Sequence, residues 1–190
     1  MSTAALLSLA IQLPVGQPVS RHDLKEMQIV VHHIPKETAF LALHMWDEDT
    51  PGCRAKTLAG VQGKDPFVDQ MIAQYGASAL LEWSCPFEHA IIWKWPVPSG
   101  DQEMLLTLSN PPKGAVFGLN SGDRLDYYPP APPKGDPATH HYLFELLALP
   151  SSAQPPTDTD FSTAAWTTLK KQAIQVATTT YALKNAQIQD

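Results

Sequence analysis

The chain has 190 residues, of which 44% are hydrophobic and 17% are charged, and its formal net charge is −6. This length and composition predict one folded domain over residues 1–190 and exclude a disordered or fibrous chain. The acidic balance, with Lys and Arg scattered along the chain, argues against nucleic acid as the main partner. No run of about 18 apolar residues is present, so we expect no transmembrane segment.

The cysteine content bears on the compartment of the protein. Cys53 and Cys85 are the two cysteines of the chain. Their spacing matches no zinc or CxxC motif, and two cysteines do not make a disulfide framework. We therefore expect reduced thiols and a cytoplasmic location. The partly apolar start, residues 1–14, lacks a basic region and a clean cleavage site, so no secretory signal is expected.

The predicted elements begin with two strands, over residues 28–33 and 39–46. The second is apolar on nearly every residue, which is typical of a strand buried on both faces. It is followed by the sequence Asp-Glu-Asp-Thr-Pro-Gly, which indicates a turn. We predict a loop over 52–64 and then a helix over 65–75, because an N-capping Asp followed by Pro opens an apolar pattern of helical spacing.

Two further strands are predicted over residues 89–95 and 140–149. Between them, residues 110–139 show no regular period, and five prolines between positions 127 and 139 stiffen this stretch. Long irregular segments of this kind are usually functional. From residue 160 onward, one apolar stripe predicts a C-terminal helix. Its members are Phe161, Ala165, Leu169, Ala173, Ala177 and Tyr181.

Five polar side chains lie at the ends of these strands. Side chains alternate along a strand, so His140 and Tyr142 share one face, and in an extended segment Asp47 and Asp49 point the same way. His89 begins its own strand. The sequence therefore predicts a cleft where these five side chains meet.

Simpler interpretations of the same residues remain open. Asp47 and Asp49 taken alone are compatible with a solvated turn, and His89 with a buried structural histidine. Neighbouring residues such as His140 and His141 face opposite sides of a strand and do not chelate one metal together. No HExxH spacing supports zinc, and no GxSxG, P-loop or GxGxxG motif is present. A nucleophilic pair of Cys85 with His89 is the weakest alternative.

The order of these segments resembles the phosphatidylethanolamine-binding protein family, in particular its bacterial Raf-kinase-inhibitor-like branch. The acidic turn DPDAP of the family corresponds to DEDTP at 47–51, and its strand-opening histidine corresponds to His89, which follows Phe87. Its PPxG loop and His-Arg-Tyr strand start correspond to PPKG at 132–135 and HHY at 140–142, followed by LFELLAL. The matching stretches cover residues 34–52 and 86–150.

The chain also departs from the family pattern. Glu48 replaces a proline, His141 stands where arginine is usual, and Ala90 stands where many bacterial members have tryptophan. The stretch between Asp49 and His89 is much longer than in common members, which indicates an insertion at about 53–85. The chain is a divergent member by this pattern, with a rebuilt pocket rim.

The resemblance implies a mainly β fold, a β-sandwich with a few peripheral helices that include the inserted and the C-terminal helix. It also implies a pocket for a small anionic or phosphorylated ligand or a lipid head group. From the missing motif spacings we expect neither metal nor cofactor there, although two carboxylates and two imidazoles could still converge on Zn²⁺. Donors to a phosphate would be an imidazole N–H of His89 or His140 and the Tyr142 hydroxyl, while the aspartates orient the histidines. The pocket residues are Asp47, Asp49, Phe87, His89, Pro132, His140 and Tyr142. Family members tend to have an unusual peptide bond at this point, so a cis bond before Pro86 is expected.

The function expected from this resemblance is binding of the small ligand. Regulation of a signalling partner and peripheral contact with lipid are left open. The alternative is an enzyme on the same scaffold, an isomerase, cyclase or hydrolase that uses the Asp, His and Tyr side chains for acid-base chemistry. Pocket depth separates the two, since an enclosed apolar cavity favours an enzyme and a small open pocket favours binding.

Overall fold

A computed structural model describes residues 5–12, 18–58, 63–98, 103–157 and 159–189. Within these ranges the strands are Ser8–Gln12 (β1), Val19–Ser20 (β2), Gln28–His32 (β3), Phe40–Asp47 (β4), Phe87–Pro96 (β5), Glu103–Thr107 (β6), Val116–Phe117 (β7), Thr139–Leu149 (β8), Gln175–Lys184 (β9) and Ile188–Gln189 (β10). The α-helices are Arg21–Lys25 (α1), Pro51–Thr57 (α2), Pro66–Tyr75 (α3), Ala77–Glu82 (α4) and Thr163–Lys170 (α5), and a 3-10 turn spans Asn185–Gln187. The strands predicted from the sequence correspond to β3, β4, β5 and β8.

The largest sheet is antiparallel, with the strand order β7-β5-β4-β8-β9. Its register determines where the polar side chains meet. Asp47 at the end of β4 pairs with Phe87 of β5 on one side and with Tyr142 of β8 on the other. The ends of three neighbouring strands therefore bring the predicted pocket residues to one edge of the sheet.

A second sheet, in the order β1-β3-β6, packs against one face of the first. The two sheets share the main hydrophobic core, so the predicted β-sandwich is confirmed. The core includes Leu9, Ile29, Val31 and Leu106 from the three-stranded sheet, and Leu43, Met45, Tyr142 and Phe144 from the five-stranded sheet. The other face of the large sheet is covered by α5, through Trp166 and Leu169.

In the stretch predicted as an insertion, the described residues form three helices with a small core of their own, made by Ala55, Phe67, Val68, Met71 and Leu80. The predicted helix over 65–75 is confirmed as α3, and the Asp65 side chain accepts hydrogen bonds from two backbone N–H groups of its first turn. The loop predicted over 52–64 is wrong where α2 forms, while residues 59–62 lie outside the described residues. Thr50 caps α2 and Pro51 opens it, so the apparent turn signal is a helix start.

A disulfide joins Cys53 of α2 to Cys85, with a Cα–Cα distance of 4.9 Å. The expectation of reduced thiols is therefore wrong. The two cysteines are 32 residues apart, and only the return of the insertion to the start of β5 brings them together. Gly52 permits this close return, because a Cβ atom at that position would lie 2.8 Å from the Cβ of Trp83.

The predicted C-terminal helix is correct only for its first part. It ends at Lys170, and the chain then forms β9, which pairs along its length with β8. Thr178, Thr179 and Thr180 favour an extended backbone because they are branched at Cβ.

At the N-terminal side, Ser8–Gln12 pairs with β3 in the three-stranded sheet. The predictions about a signal and about residues 1–14 fall partly on residues 1–4 and 13–14, outside the described residues. Across the described part of the chain, every helix is too short or too polar to cross a bilayer.

Candidate ligand pocket

A partly open cavity of about 160 Å³ lies at the edge of the large sheet. β4 and the start of α2 contribute Asp47, Thr50 and Pro51, and β5 and β8 contribute Phe87, His89, His140 and Tyr142. The remaining wall consists of Trp83 from the insertion and of Tyr128, Ala131 and Pro133 from the proline-rich segment.

Five of the seven predicted site residues line this cavity, and Asp49 and Pro132 do not. The backbone N–H of Asp49 donates to Asp47 Oδ1 over 2.7 Å, so the chain turns directly after Asp47. The Asp49 carboxylate consequently points away from the cavity and accepts from the backbone N–H and Nδ1 of His141, each over 2.8 Å. The two aspartates therefore do not point the same way. The carbonyl of Pro132 accepts from Asn185.

His140 is buried between two carboxylates. Its Nδ1 lies 2.7 Å from Asp47 Oδ2 and its Nε2 lies 3.3 Å from Asp136 Oδ2. Burial lowers the pKa of His140, but the hydrogen bonds and charges of Asp47 and Asp136 outweigh it, and the net shift is upward. Both ring nitrogens donate to these carboxylates in the imidazolium form, so His140 is oriented by Asp47 and has no N–H left for a ligand.

Asp136 and Arg54 extend this arrangement into the insertion, and the sequence analysis missed both. Arg54 donates from its two terminal nitrogens to Asp136, over 3.1 and 2.8 Å, and its Nε lies 3.2 Å from the Asp65 carboxylate. Burial raises the pKa of Asp136, but hydrogen bonds from Arg54 and the Ala138 backbone lower it overall. In the sequence, only its position four residues before His140 could have indicated that Asp136 contacts this histidine.

His89 is buried and neutral. Its Nδ1 lies 2.9 Å from the carbonyl of Tyr128, and because a carbonyl only accepts, Nδ1 carries the proton. Burial lowers the pKa of His89 to about 4, although the Tyr128 carbonyl and the Asp47 carboxylate act in the opposite direction. At neutral pH the other ring nitrogen, Nε2, therefore carries no proton and can only accept a hydrogen bond.

Tyr142 is fully buried, and its hydroxyl makes no hydrogen bond of normal geometry with any described residue. Burial, followed by the charge of Asp47, raises its pKa well above the ordinary value, so the group is a neutral O–H. A buried polar group of this kind is uncommon unless a ligand or water completes it. The Tyr142 and His89 rings are in edge contact, with their centroids 5.1 Å apart.

The insertion contributes one wall of the cavity. Trp83 lies between α4 and Cys85, and Lys56 of α2 donates to its carbonyl over 2.8 Å. The peptide bond between Cys85 and Pro86 is cis, as predicted. Trp83 was not among the predicted site residues, because nothing in the sequence fixes how an insertion of this length returns to the sheet.

The comparisons with known proteins place this geometry in a family. The model of a family described as "Phosphatidylethanolamine-binding protein" matches residues 9–189. The chain belongs to the phosphatidylethanolamine-binding protein family. No curated protein matches it.

Two solved structures share the fold of this family member at 18% identity and a TM-score of 0.59. One is a putative phosphatidylethanolamine-binding protein homologue, CT736, from Chlamydia trachomatis, with 94% of this chain and 97% of that chain covered. The other is YbcL of E. coli, described as a new member of the mammalian family, with 95% and 99% covered. The predicted family and fold are thereby confirmed.

Proposed function

We propose that this member of the family binds a small anionic or phosphorylated molecule in the pocket between Asp47, His89, His140 and Tyr142. The observation that carries the proposal is the buried hydroxyl of Tyr142, a residue of the cavity wall, which makes no hydrogen bond of normal geometry with the described residues, although the Ala131 backbone lies close enough to lower its pKa slightly against the effect of burial. An oxygen of a ligand would supply the missing acceptor.

The size of the cavity supports a small ligand. Pockets for drug-sized molecules usually measure roughly 300–1,000 Å³, and this one measures about 160 Å³. A phosphate or carboxylate group fits that space, whether it comes from a free metabolite or from a lipid head group.

The side chains of the pocket favour binding over turnover. General acid-base catalysis needs a group that titrates near the working pH and reaches the substrate. Both nitrogens of His140 are engaged by carboxylates, and the pKa of His89 is lowered to about 4. Neither histidine meets both conditions, so the enzyme alternative gains no support.

The disulfide bears on the compartment. Bonds such as Cys53–Cys85 persist in oxidising compartments and are rare in the cytosol. In place of the cytoplasm, we therefore propose an oxidising compartment as the site of action. Regulation of a protein partner stays a prediction.

The proposal is tested by titrating ¹⁵N-labelled protein with inorganic phosphate and following amide chemical shifts. We expect saturable shifts in the segments that line the cavity, residues 47–51, 87–89, 128–133 and 140–142. The Tyr142→Phe variant removes one hydrogen bond to a charged acceptor, so its affinity for phosphate should fall about tenfold.

The matched control is Tyr127→Phe, which removes another buried tyrosine hydroxyl. That hydroxyl donates to the Leu24 carbonyl over 2.7 Å and does not line the cavity, so the phosphate affinity should stay unchanged. Shifts outside the pocket segments, or an equal loss in both variants, would contradict the proposal.

A further inference from the structure

The disulfide connects two walls of the cavity. Cys53 comes two residues after Pro51, which lines the cavity from the start of α2. Cys85 lies midway between two other lining residues, Trp83 and Phe87. The bond therefore joins the wall formed by α2 to the segment through which the insertion returns to β5, residues 83–85. Its presence limits how far these two walls can separate.

The α2 wall is held on the sandwich without the help of the disulfide. Arg54 donates two hydrogen bonds to the Asp136 carboxylate, over 3.1 and 2.8 Å. The Asp136 side chain is fully buried in the segment before β8, and breaking a buried pair of this kind is strongly unfavourable. We therefore expect α2 to stay in place whether the two sulfur atoms are joined or not.

The wall formed by Trp83 depends more on the covalent bond. Residues 83–85 form neither helix nor strand. Lys56 of α2 donates to the Trp83 carbonyl over 2.8 Å, but Lys56 is exposed, so water competes for this hydrogen bond. The Trp83 ring contacts Tyr75, with centroids 5.8 Å apart, and Tyr75 is itself half exposed. Among the described contacts, the disulfide is thus the strongest tie between this segment and α2.

The two cysteines differ in their exposure to solvent. Cys53 is buried, with 3% of its surface exposed, whereas Cys85 is exposed. Thiol–disulfide exchange requires that a thiolate reach one of the two sulfur atoms, and exposed disulfides exchange more readily than enclosed ones. An external thiolate can therefore approach Cys85 Sγ, while the surrounding residues shield Cys53 Sγ.

We propose that the Cys53–Cys85 disulfide is a redox latch on the cavity, which a dithiol reductant opens and a disulfide oxidant closes. One thiolate of the reductant attacks Cys85 Sγ, the S–S bond breaks, and Cys53 leaves as a thiolate that takes up a proton. The second thiol of the reductant loses its proton and attacks the mixed disulfide. This step releases Cys85, which takes up a proton, and leaves the reductant oxidised by two electrons. Closure is the reverse exchange.

Opening of the latch frees the Trp83 segment from the α2 wall, which Arg54 keeps in place. A ligand that uses both walls must then order Trp83 when it binds, and this ordering lowers its affinity. The inference rests on the proposed function and adds regulation of the same site. The closed form, with the higher affinity, is the one that the oxidising compartment proposed above maintains.

The test compares the ¹⁵N-labelled protein before and after treatment with excess dithiothreitol, with both forms titrated with inorganic phosphate. Alkylation and mass spectrometry count the free thiols of each form. We expect the steady-state ¹H–¹⁵N NOE of residues 83–85 to fall on reduction, while the values in β4 and β8 stay unchanged. The affinity for phosphate should fall about three- to tenfold, because Trp83 is no longer ordered in advance.

Either of two results would overturn the latch in a protein that has two free thiols. One is an unchanged NOE of residues 83–85, and the other is an unchanged affinity for phosphate. A shift of the β4 and β8 resonances to random-coil positions would also overturn it, since the bond would then hold the whole fold. If the oxidised protein bound no phosphate, the proposed function would fail, and the NOE would still show whether the bond fixes the Trp83 segment.

Two further measurements separate the latch from side effects of the reductant. The Cys53→Ser/Cys85→Ser double variant should reproduce the NOE and the phosphate affinity of the reduced protein without dithiothreitol, and wild-type values in this variant would contradict the proposal. Glutathione, which has one thiol, should form a mixed disulfide at Cys85. A mixed disulfide at Cys53, located by mass spectrometry of the digested protein, would contradict the order of attack.

Discussion

Two buried histidines, His44 and His140, lie on neighbouring strands of the large sheet, and each contacts a carboxylate. They occupy opposite faces. On the face covered by α5, His44 pairs with Glu88, and three aromatic rings pack around it, Trp46, Phe161 and Trp166, with centroid distances of 4.4, 4.5 and 5.3 Å. On the other face, His140 pairs with Asp47 and Asp136 at the wall of the cavity.

The difference shows which feature identifies a binding site. A buried histidine beside a carboxylate occurs on both faces and is by itself a structural arrangement. Each face holds a buried polar group that makes no hydrogen bond of normal geometry with the described residues, the Trp93 indole N–H on the α5 face and the Tyr142 hydroxyl on the pocket face. What the pocket face adds is a cavity walled by His89, His140 and Tyr142. The α5 face has a second carboxylate besides Glu88, that of Glu145. It accepts hydrogen bonds from the Trp166 indole N–H, over 2.5 Å, and from the Lys170 ammonium group.

The largest expected difference between the two faces is in the free energy of unfolding that is lost when the cation beside a buried carboxylate is removed. Arg54→Met removes one of the two basic side chains paired with Asp136, whose side chain is fully buried, and should lower the free energy of unfolding by about 3–5 kcal/mol. Lys170→Met removes the partner of Glu145, but Lys170 is 45% exposed, so the loss should stay below about 1 kcal/mol. Urea unfolding of both variants at neutral pH measures the contrast, and equal losses would mean that Asp136 is not the more dependent carboxylate.

A pH series sharpens the description of the pocket face. The pKa of His89 is lowered to about 4 in the folded protein, against about 6.5 in the unfolded chain. The stability due to its neutral form is thus present above pH 6.5 and is lost as the pH falls toward 4, by up to about 3 kcal/mol. The free energy of unfolding of the wild type should therefore fall more steeply over this range than that of His89→Gln.

His140, in the same pocket, changes the free energy of unfolding with pH in the opposite direction to His89. Its pKa is raised, so its contribution is complete below about pH 6.5 and is lost as the pH rises through the folded-state value. Parallel curves for the wild type and His89→Gln between pH 6.5 and 4 would show that His89 is not buried in its neutral form.

The smallest expected difference is in the stability lost when each of two buried tyrosine hydroxyls is removed. The Tyr127 hydroxyl has a hydrogen-bond partner, and the Tyr142 hydroxyl makes no hydrogen bond of normal geometry with the described residues. Tyr127→Phe removes the bond to the Leu24 carbonyl and should cost about 1 kcal/mol. Tyr142→Phe removes a hydroxyl that makes no hydrogen bond of normal geometry with the described residues, so the stability should be unchanged or slightly higher. Thermal unfolding without ligand measures both, and a larger loss for Tyr142→Phe would reveal a partner within the protein.

The sequence predicted the parts of the fold whose signals are local. β4 and β8 follow from apolar runs, and α3 follows from Asp65 and the proline after it. β9 was predicted as helix because Ala173, Ala177 and Tyr181 are four residues apart, and that spacing returns to the same face in a helix and in a strand alike. Only the pairing with β8, a contact distant in sequence, decides between the two.

The same limit applied to the pocket. Asp47, His89, His140 and Tyr142 were found because each adjoins a strand end in a recognisable motif. Asp49 was wrongly expected to point the same way as Asp47, since alternation requires an extended chain and the backbone turns there. Arg54 and Trp83 were missed because the insertion returns to the sheet through tertiary contacts that no spacing reveals.

The disulfide gives the chain two routes from β4 to β5. One follows the backbone through the helices of the insertion, and the other crosses directly from Cys53 to Cys85. The disulfide thus closes the backbone between the two cysteines into a covalent ring, which is joined to the rest of the chain through Cys53 and Cys85. A single cut within the ring would release no fragment, and β4 and β5, two of the three strands that carry the pocket, would stay covalently joined over the short distance at which the sheet holds them.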